Sequence, residues 1–170
     1  MKLVVRRLDA HADRDRFDCG VAPLDEWLKR QAGQAERKRL ASVWIATTPD
    51  DSASIVGYYS LAPWQIAFEE CPPAVSKKLP RYPVAVTLVA RLAVARAAQG
   101  RGVGAELLVD AVFRAHSASE TVPVQAVVVH AKDETAANWY KRHGFVSFSD
   151  RPLHLFLTME TIGALKHPPG

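Results

Sequence analysis

Residues 84–115 read VAVTLVARLAVARAAQGRGVGAELLVDAVFRA, and this stretch decides the fold. Val84, Val86, Leu88, Leu92 and Val94 are alternating and β-branched apolar residues, the pattern of a strand. Leu107, Leu108, Ala111, Val112 and Ala115 recur at helical spacing. Between them lies Gln99-Gly100-Arg101-Gly102-Val103-Gly104. The order is strand, glycine-rich turn, helix. The first N–H groups of a helix lack intrahelical partners and stand at the positive end of its dipole. Backbone N–H groups in such a turn cradle phosphate oxygens. Glycines let the backbone approach a ligand with no Cβ in the way, and Arg101 adds charge. The turn is a candidate pyrophosphate site.

Its spacing matches neither common nucleotide-loop fingerprint. No Gly-Lys-Ser/Thr follows, as a Walker A loop needs, and Gly100-x-Gly102-x-Gly104 is not G-x-G-x-x-G.

The rest of the chain predicts a mixed sheet with helices on its faces, an α/β (α+β) domain. Residues 3–8 read as a strand and 9–20 as a charged connection. Leu24, Leu28, Ala32 and Ala35 share one face of a helix over 24–40, with Asp25 and Glu26 in its first turn. Residues 42–48 and 54–68 read as two strands, Pro63 interrupting or ending the second. Residues 69–83, with four prolines, read as loop. Residues 124–131 are a buried strand by their apolar run. Residues 133–143 are a helix with Asp133 as N-cap and Gly144 at its C-terminal end. Residues 145–149 and 153–159 close the sheet.

At 170 residues the chain predicts one domain, 1–170, with a substantial core. No apolar run is long enough to span a bilayer, and MKLVVRRLDAHADRDRF has no signal-peptide core. Cys19 and Cys71 are too few for a disulfide scaffold or a thiolate metal site. The six histidines, His167 among them, show no metal-ligand spacing. The expectation is a cytoplasmic, reduced, metal-free protein. A net charge of +4 admits an anionic partner without requiring one.

The hexapeptide Gln99 to Gly104 has the form Gln-x-x-Gly-x-Gly and resembles the acetyl-coenzyme A loop of the GNAT N-acetyltransferases. Ala137-Asn138-Trp139-Tyr140-Lys141-Arg142-His143-Gly144-Phe145 is similar to that family's later helix. A narrower resemblance covers nearly the whole chain. Phe17-Asp18-Cys19-Gly20, Leu24-Asp25-Glu26-Trp27-Leu28 and Val56-Gly57-Tyr58-Tyr59 look like the acetyltransferase toxins of bacterial toxin–antitoxin pairs. So do Leu79-Pro80-Arg81-Tyr82-Pro83, Arg91-Leu92-Ala93-Val94 and Val129-His130-Ala131-Lys132-Asp133. Ala95 departs from the pattern, which has an acid after Arg-Leu-Ala-Val.

The resemblance implies a GNAT-like fold, acetyl-CoA as acetyl donor and aminoacyl-tRNA as substrate. It implies translation inhibition and a cognate antitoxin of the ribbon-helix-helix type. A homodimer is compatible with it but is not read from the residues. Leu92, Ala93 and Val94 would offer backbone groups to the pantetheine arm, Gln99 to Gly104 would hold the pyrophosphate, and Asn138 would bond the cofactor. Tyr140 would protonate the departing thiolate. Lys29, Arg30, Lys38, Arg39, Lys77, Lys78, Arg81 and Arg91 would hold tRNA phosphates, each neutralised phosphate making binding more salt-sensitive. Two other readings stay open on the residues alone. One is an acetyltransferase of a small amine or protein N-terminus, and the other a non-catalytic coenzyme A-binding module.

Overall fold

The computed structural model describes residues 1–166, so His167 lies outside the described residues. β1 (Val4–Arg7) leads to α1 (Ala22–Arg30) and α2 (Ala32–Arg37), then β2 (Ser42–Thr47) and β3 (Gly57–Ile66). A short α3 (Pro73–Ser76) precedes β4 (Val84–Val94), α4 (Val103–Ser119) and β5 (Ala126–His130). The chain continues with α5 (Glu134–Arg142), β6 (Val146–Ser147), β7 (His154–Thr158) and α6 (Met159–Lys166). The strands form one mixed sheet in the order β1-β2-β3-β4-β5-β7-β6. β4 and β5 run parallel, whereas β1–β2, β2–β3, β5–β7 and β6–β7 are antiparallel pairs. A parallel pair needs a long crossover, and α4 supplies it. The predicted mixed sheet with helices is the architecture that forms.

The chain sorts into two compact units. The first holds Met1–Ala62 and Ala90–Ala111, and the second holds Pro63–Val89 and the chain from Val112 onward. In the first unit Trp27, Leu28 and Ala32 pack with Val43, Ile45, Tyr58 and Ala93. In the second, Ile66, Val84, Val86 and Leu88 pack with Ala126, Val128, Phe148 and Phe156. Four consecutive residues of β5, Ala126 to Val129, are buried, as a strand covered on both faces demands. Asp133 caps α5 by accepting the Ala136 N–H at 2.8 Å, and Gly144 follows the helix with φ +93°.

The structure corrects four expectations. The helix predicted over 24–40 is two helices, parted at Gln31, whose φ of −120° leaves helical geometry. Gly33, weak in helix propensity, follows two residues later. Pro63 lies inside β3. It is tolerated because β2 pairs only with Gly57 to Leu61, so one edge of β3 has no β2 partner beyond Leu61. Within 69–83 the four residues of α3 form a helical turn, begun by Pro73, whose fixed φ suits a first helical position. The strand predicted over 153–159 stops at Thr158, whose Oγ1 accepts the Thr161 N–H at 3.1 Å and caps α6.

Along β4, Val84, Val86 and Leu88 are buried in alternation, and then Val89 is buried too.

Candidate active site

In the first unit, β4 passes through a 3₁₀ turn, Arg96–Ala98, into Gln99 and the glycines. Gly100 and Gly102 have φ of +78° and +79°, the left-handed region that disfavours any side chain. A Cβ at either would meet no heavy atom within 4 Å. The glycines therefore serve the backbone conformation and leave open space beside it. The Glu106 N–H makes the first intrahelical bond of α4, to the Gly102 carbonyl at 3.1 Å. The N–H groups of Val103, Gly104 and Ala105 have no intrahelical partner and stand at the positive end of a 17-residue helix. Such unpartnered N–H groups form a candidate anion cradle. Arg101 is exposed beside it and lines a shallow depression with Met1, Lys2 and Asp50.

The cradle is held from an unexpected direction. Both donors of the Gln99 side-chain amide are engaged inside the protein. Nε2 donates to the Cys19 carbonyl and to the Val94 carbonyl, each at 2.9 Å. The Arg96 N–H donates to the Asp18 carbonyl at 2.8 Å, and the Arg96 guanidinium pairs with the Asp18 carboxylate at 3.0 Å. That hydrogen bond is the chief reason the Asp18 carboxyl lies below its usual range. The Cys19 N–H in turn bonds the buried Asp25 carboxylate at 2.9 Å. Residues 18–20 thus form a strap that fixes the approach to the glycine turn. Burial and then Asp25 push the Cys19 thiol up to about 11, which disfavours its thiolate.

Gly57 sets how close β3 comes to α4. A Cβ there would lie 2.7 Å from Leu107 Cδ1 and 3.0 Å from the Ala93 carbonyl oxygen. The Tyr59 hydroxyl donates to the Asp110 carboxylate and ties the same strand to the same helix. Leu92 and Val94 are half-buried and Ala93 is buried.

Tyr140 belongs to the second unit, on α5. It is half-buried, edge-on to Trp139 at 5.1 Å and to Phe145 at 5.7 Å. Burial pushes its phenol up to about 12, so it stays protonated throughout the neutral range. Among the described residues no acceptor takes its hydroxyl proton, which leaves it available to a ligand. Asn138, two residues earlier, is exposed. The second unit also holds a group that sequence reasoning missed. His130 and His154 stack at 4.0 Å, with Trp64 edge-on to His130 and Phe148 edge-on to His154. Their facing positions on β5 and β7 could be found only once the strand register was known.

The basic residues divide between the units. Lys29, Arg30, Lys38, Arg39 and Arg91 belong to the first, and Lys77, Lys78 and Arg81 to the second. Arg30 is exposed and pairs with Glu26 at 2.7 Å. Lys38, Arg39, Lys77 and Lys78 are exposed. Arg81 lies over the Phe68 ring at 5.7 Å. Arg91 is half-buried, its guanidinium 3.9 Å from the centre of the Trp27 ring. Among the described residues no group of three or more His, Cys, Asp or Glu is arranged to hold a metal ion. None of the described helices is long and apolar enough to cross a membrane.

The acetyltransferase (GNAT) domain model matches residues 39–147. A tRNA-acetylating toxin of Mycobacterium tuberculosis is 36% identical to this chain over 160 residues, covering 94% of each. Among solved structures, AtaT complexed with acetyl-methionyl-tRNAfMet has a TM-score of 0.88 at 28% identity, over 97% of this chain and 99% of that one. A tyrosine-to-phenylalanine mutant of the AtaT toxin, bound to the C-terminus of the antitoxin AtaR and acetyl-CoA, gives 0.80 at 26% identity, over 97% and 98%. The family model spans well over half of the sequence, a relative is 36% identical over nearly its whole length, and this chain belongs to the GNAT acetyltransferases.

Proposed function

We propose that this chain is the toxin of a toxin–antitoxin pair and moves the acetyl group of acetyl-CoA to the α-amino group of aminoacyl-tRNA, stopping translation. The observation that carries the reading is its likeness, over nearly the whole length, to the tRNA-acetylating toxin of Mycobacterium tuberculosis. The chain serves as one N-acetyltransferase domain. The antitoxin complex of AtaT supports a cognate antitoxin, and the resemblance to the toxin family favours one of the ribbon-helix-helix type.

The cradle suits the coenzyme's pyrophosphate, because open space stands where a Cβ at Gly100 or Gly102 would be. Bound there, acetyl-CoA supplies an activated acyl group as a thioester. Gly100 to Gly104 offer backbone N–H groups, Arg101 offers charge, and Gln99 holds the turn through its internal bonds. Leu92, Ala93 and Val94 present backbone groups to the pantetheine arm, and Asn138 a side-chain amide. Lys29, Arg30, Lys38, Arg39, Lys77, Lys78, Arg81 and Arg91 meet tRNA phosphates.

The proton balance needs one donor and no strong base. An α-amino group with a reference pKa of about 7.7–8.0 is roughly a tenth neutral at pH 7, whereas a lysine near 10.4 is under about a thousandth neutral. The amine releases one proton to solvent as the amide forms and the carbon–sulfur bond breaks, and the departing sulfur gains one. Tyr140 gives that proton from its hydroxyl and is reprotonated from solvent.

Purified protein incubated with acetyl-CoA and aminoacyl-tRNA should yield N-acetyl-aminoacyl-tRNA. Tyr140→Phe keeps the ring and should lower turnover by about 100-fold or more while acetyl-CoA still binds. Expression without the antitoxin should arrest growth in the wild type and not in the variant. A wild type that leaves aminoacyl-tRNA unmodified but acetylates a free small amine would overturn the substrate. Undiminished turnover by the variant would move the proton donor elsewhere.

A further inference from the structure

Arg91 differs from five other arginines. Arg6, Arg7, Arg30, Arg96 and Arg151 all end on carboxylates. Arg91 ends on none. Among the described residues its only interaction partners are aromatic: the Trp27 ring and, through charge, Tyr58. It leaves β4 half-buried, and burial holds its guanidinium below the usual arginine range. A desolvated cation without an anion is unfavourable, and the ring face offsets only part of that.

The ring beneath it is rigid. Trp27 is buried, 8% exposed, and lies parallel to Tyr58 at 6.1 Å and 9°. The Tyr58 hydroxyl donates to the Leu24 carbonyl at 2.7 Å, and Phe17 closes the far side edge-on at 5.4 Å. The guanidinium carbon stands 3.9 Å from the centre of an indole that itself lies parallel to the Tyr58 ring. The five N–H donors of a guanidinium lie in its plane, and those of Arg91 have no acceptor among the described residues. A planar fork matches the paired oxygens of a phosphate.

We propose that Arg91, held over the Trp27 ring, is a phosphate-binding residue that takes two oxygens of one phosphate in the plane of its guanidinium. That the phosphate is a phosphodiester of the RNA substrate rests on the function proposed above. The phosphates of acetyl-CoA are the other source of the same chemistry. The exposed lysines and arginines add diffuse attraction, whereas Arg91 fixes one phosphate in position.

The test uses the full chain with Arg91→Gln and Arg91→Lys, each checked for an unchanged melting temperature. The probes are an aminoacyl-tRNA across a salt series and acetyl-CoA by calorimetry. Arg91→Gln should weaken RNA binding about 10-fold or more and reduce the slope of log affinity against log salt by about one. Arg91→Lys should restore the slope, since charge returns, but not the affinity, since the fork does not. Acetyl-CoA affinity should stay unchanged. A loss confined to acetyl-CoA would keep the phosphate site and assign the phosphate to the coenzyme. Full recovery of affinity by lysine would overturn the fork, and unaltered affinity for both probes in Arg91→Gln would overturn the site. A wild type that does not modify aminoacyl-tRNA would refute the proposed function separately, leaving the coenzyme measurement to decide on Arg91.

Discussion

Replacing Arg39 by glycine should make the protein more stable and worse at holding RNA. Arg39 follows α2, where its N–H bonds the Glu36 carbonyl at 3.1 Å and the Leu40 N–H bonds the Ala35 carbonyl at 2.9 Å. That pair of bonds closes a helix through one left-handed residue, most often glycine. Here it is an arginine with φ +58°. The left-handed conformation costs an L-residue about 1–2 kcal/mol, and glycine's extra freedom in the unfolded chain offsets about 0.5–1 kcal/mol of the relief. Arg39→Gly should then gain roughly 0.5–1 kcal/mol, or about 1–4 °C in a domain of this size. Lys78 repeats the arrangement. The Leu79 N–H bonds the Ser76 carbonyl at 2.9 Å, and Lys78, third in that turn, has φ +66°, a position that favours glycine. Two exposed cations thus stand where glycine would fit better. Calorimetric melting and tRNA binding across a salt series check both halves. Each glycine variant should flatten the salt slope by about 0.9. A lower melting temperature would refute the strain, and an unaltered slope would refute the role in RNA binding.

Gly57→Ala should cost about 1–3 kcal/mol in a urea titration, because the added methyl enters the space of Leu107 and the Ala93 carbonyl. Wild-type stability in that variant would show that β3 and α4 separate freely. Gln99→Ala removes two hydrogen bonds, each contributing about 0.5–1.5 kcal/mol. It should weaken acetyl-CoA binding several-fold by calorimetry, and an undisturbed affinity would mean that the strap does not set the turn. His130 and His154 are both held below the usual histidine range, first by burial and then by neighbouring positive charge, His154 and Arg151 for the one and Arg151 for the other. Asp150 opposes the shift of His154. Glu70 pairs with Arg151. The unfolded chain binds protons more readily than the folded one, so this contribution is complete above pH about 6.5 and is lost as pH falls through the folded values. Melting temperature against pH should therefore fall on acidification and fall less steeply in His130→Gln, and parallel curves would dismiss the pair.

The strand–turn–helix at 84–115 was legible because each part is set by neighbours in sequence: alternation for the strand, helical spacing for α4, glycines between. β5 and α5 were legible for the same reason, one as an unbroken apolar run and the other by the Asp133 cap and Gly144. What escaped depends on partners distant in sequence. Pro63 reads as a strand breaker until the register shows that β2 stops pairing at Leu61.

The site divides along the same line. Spacing alone marks the glycine turn as the candidate cradle, because a phosphate loop works through consecutive N–H groups. Spacing could not say what holds the cradle in place. Gln99 opens the hexapeptide, and its amide reaches the Cys19 carbonyl, 80 residues away in the chain. The strap also explains why the Phe17-Asp18-Cys19-Gly20 segment belongs with the loop. Asp18 meets Arg96 through its carbonyl and its carboxylate, and a side chain at Gly20, where φ is +89°, would stand 3.4 Å from the Arg96 guanidinium. The order of the cradle is therefore tied to the start of α1 through Cys19 and Asp25. Asp25→Ala should loosen that connection and act on acetyl-CoA affinity without touching a cradle residue. Asp25→Asn keeps an oxygen in place to accept the Cys19 N–H and should restore most of the affinity. Equal affinity in the alanine variant, with the fold intact, would cut Asp25 out of the connection and leave Gln99 to hold the turn alone.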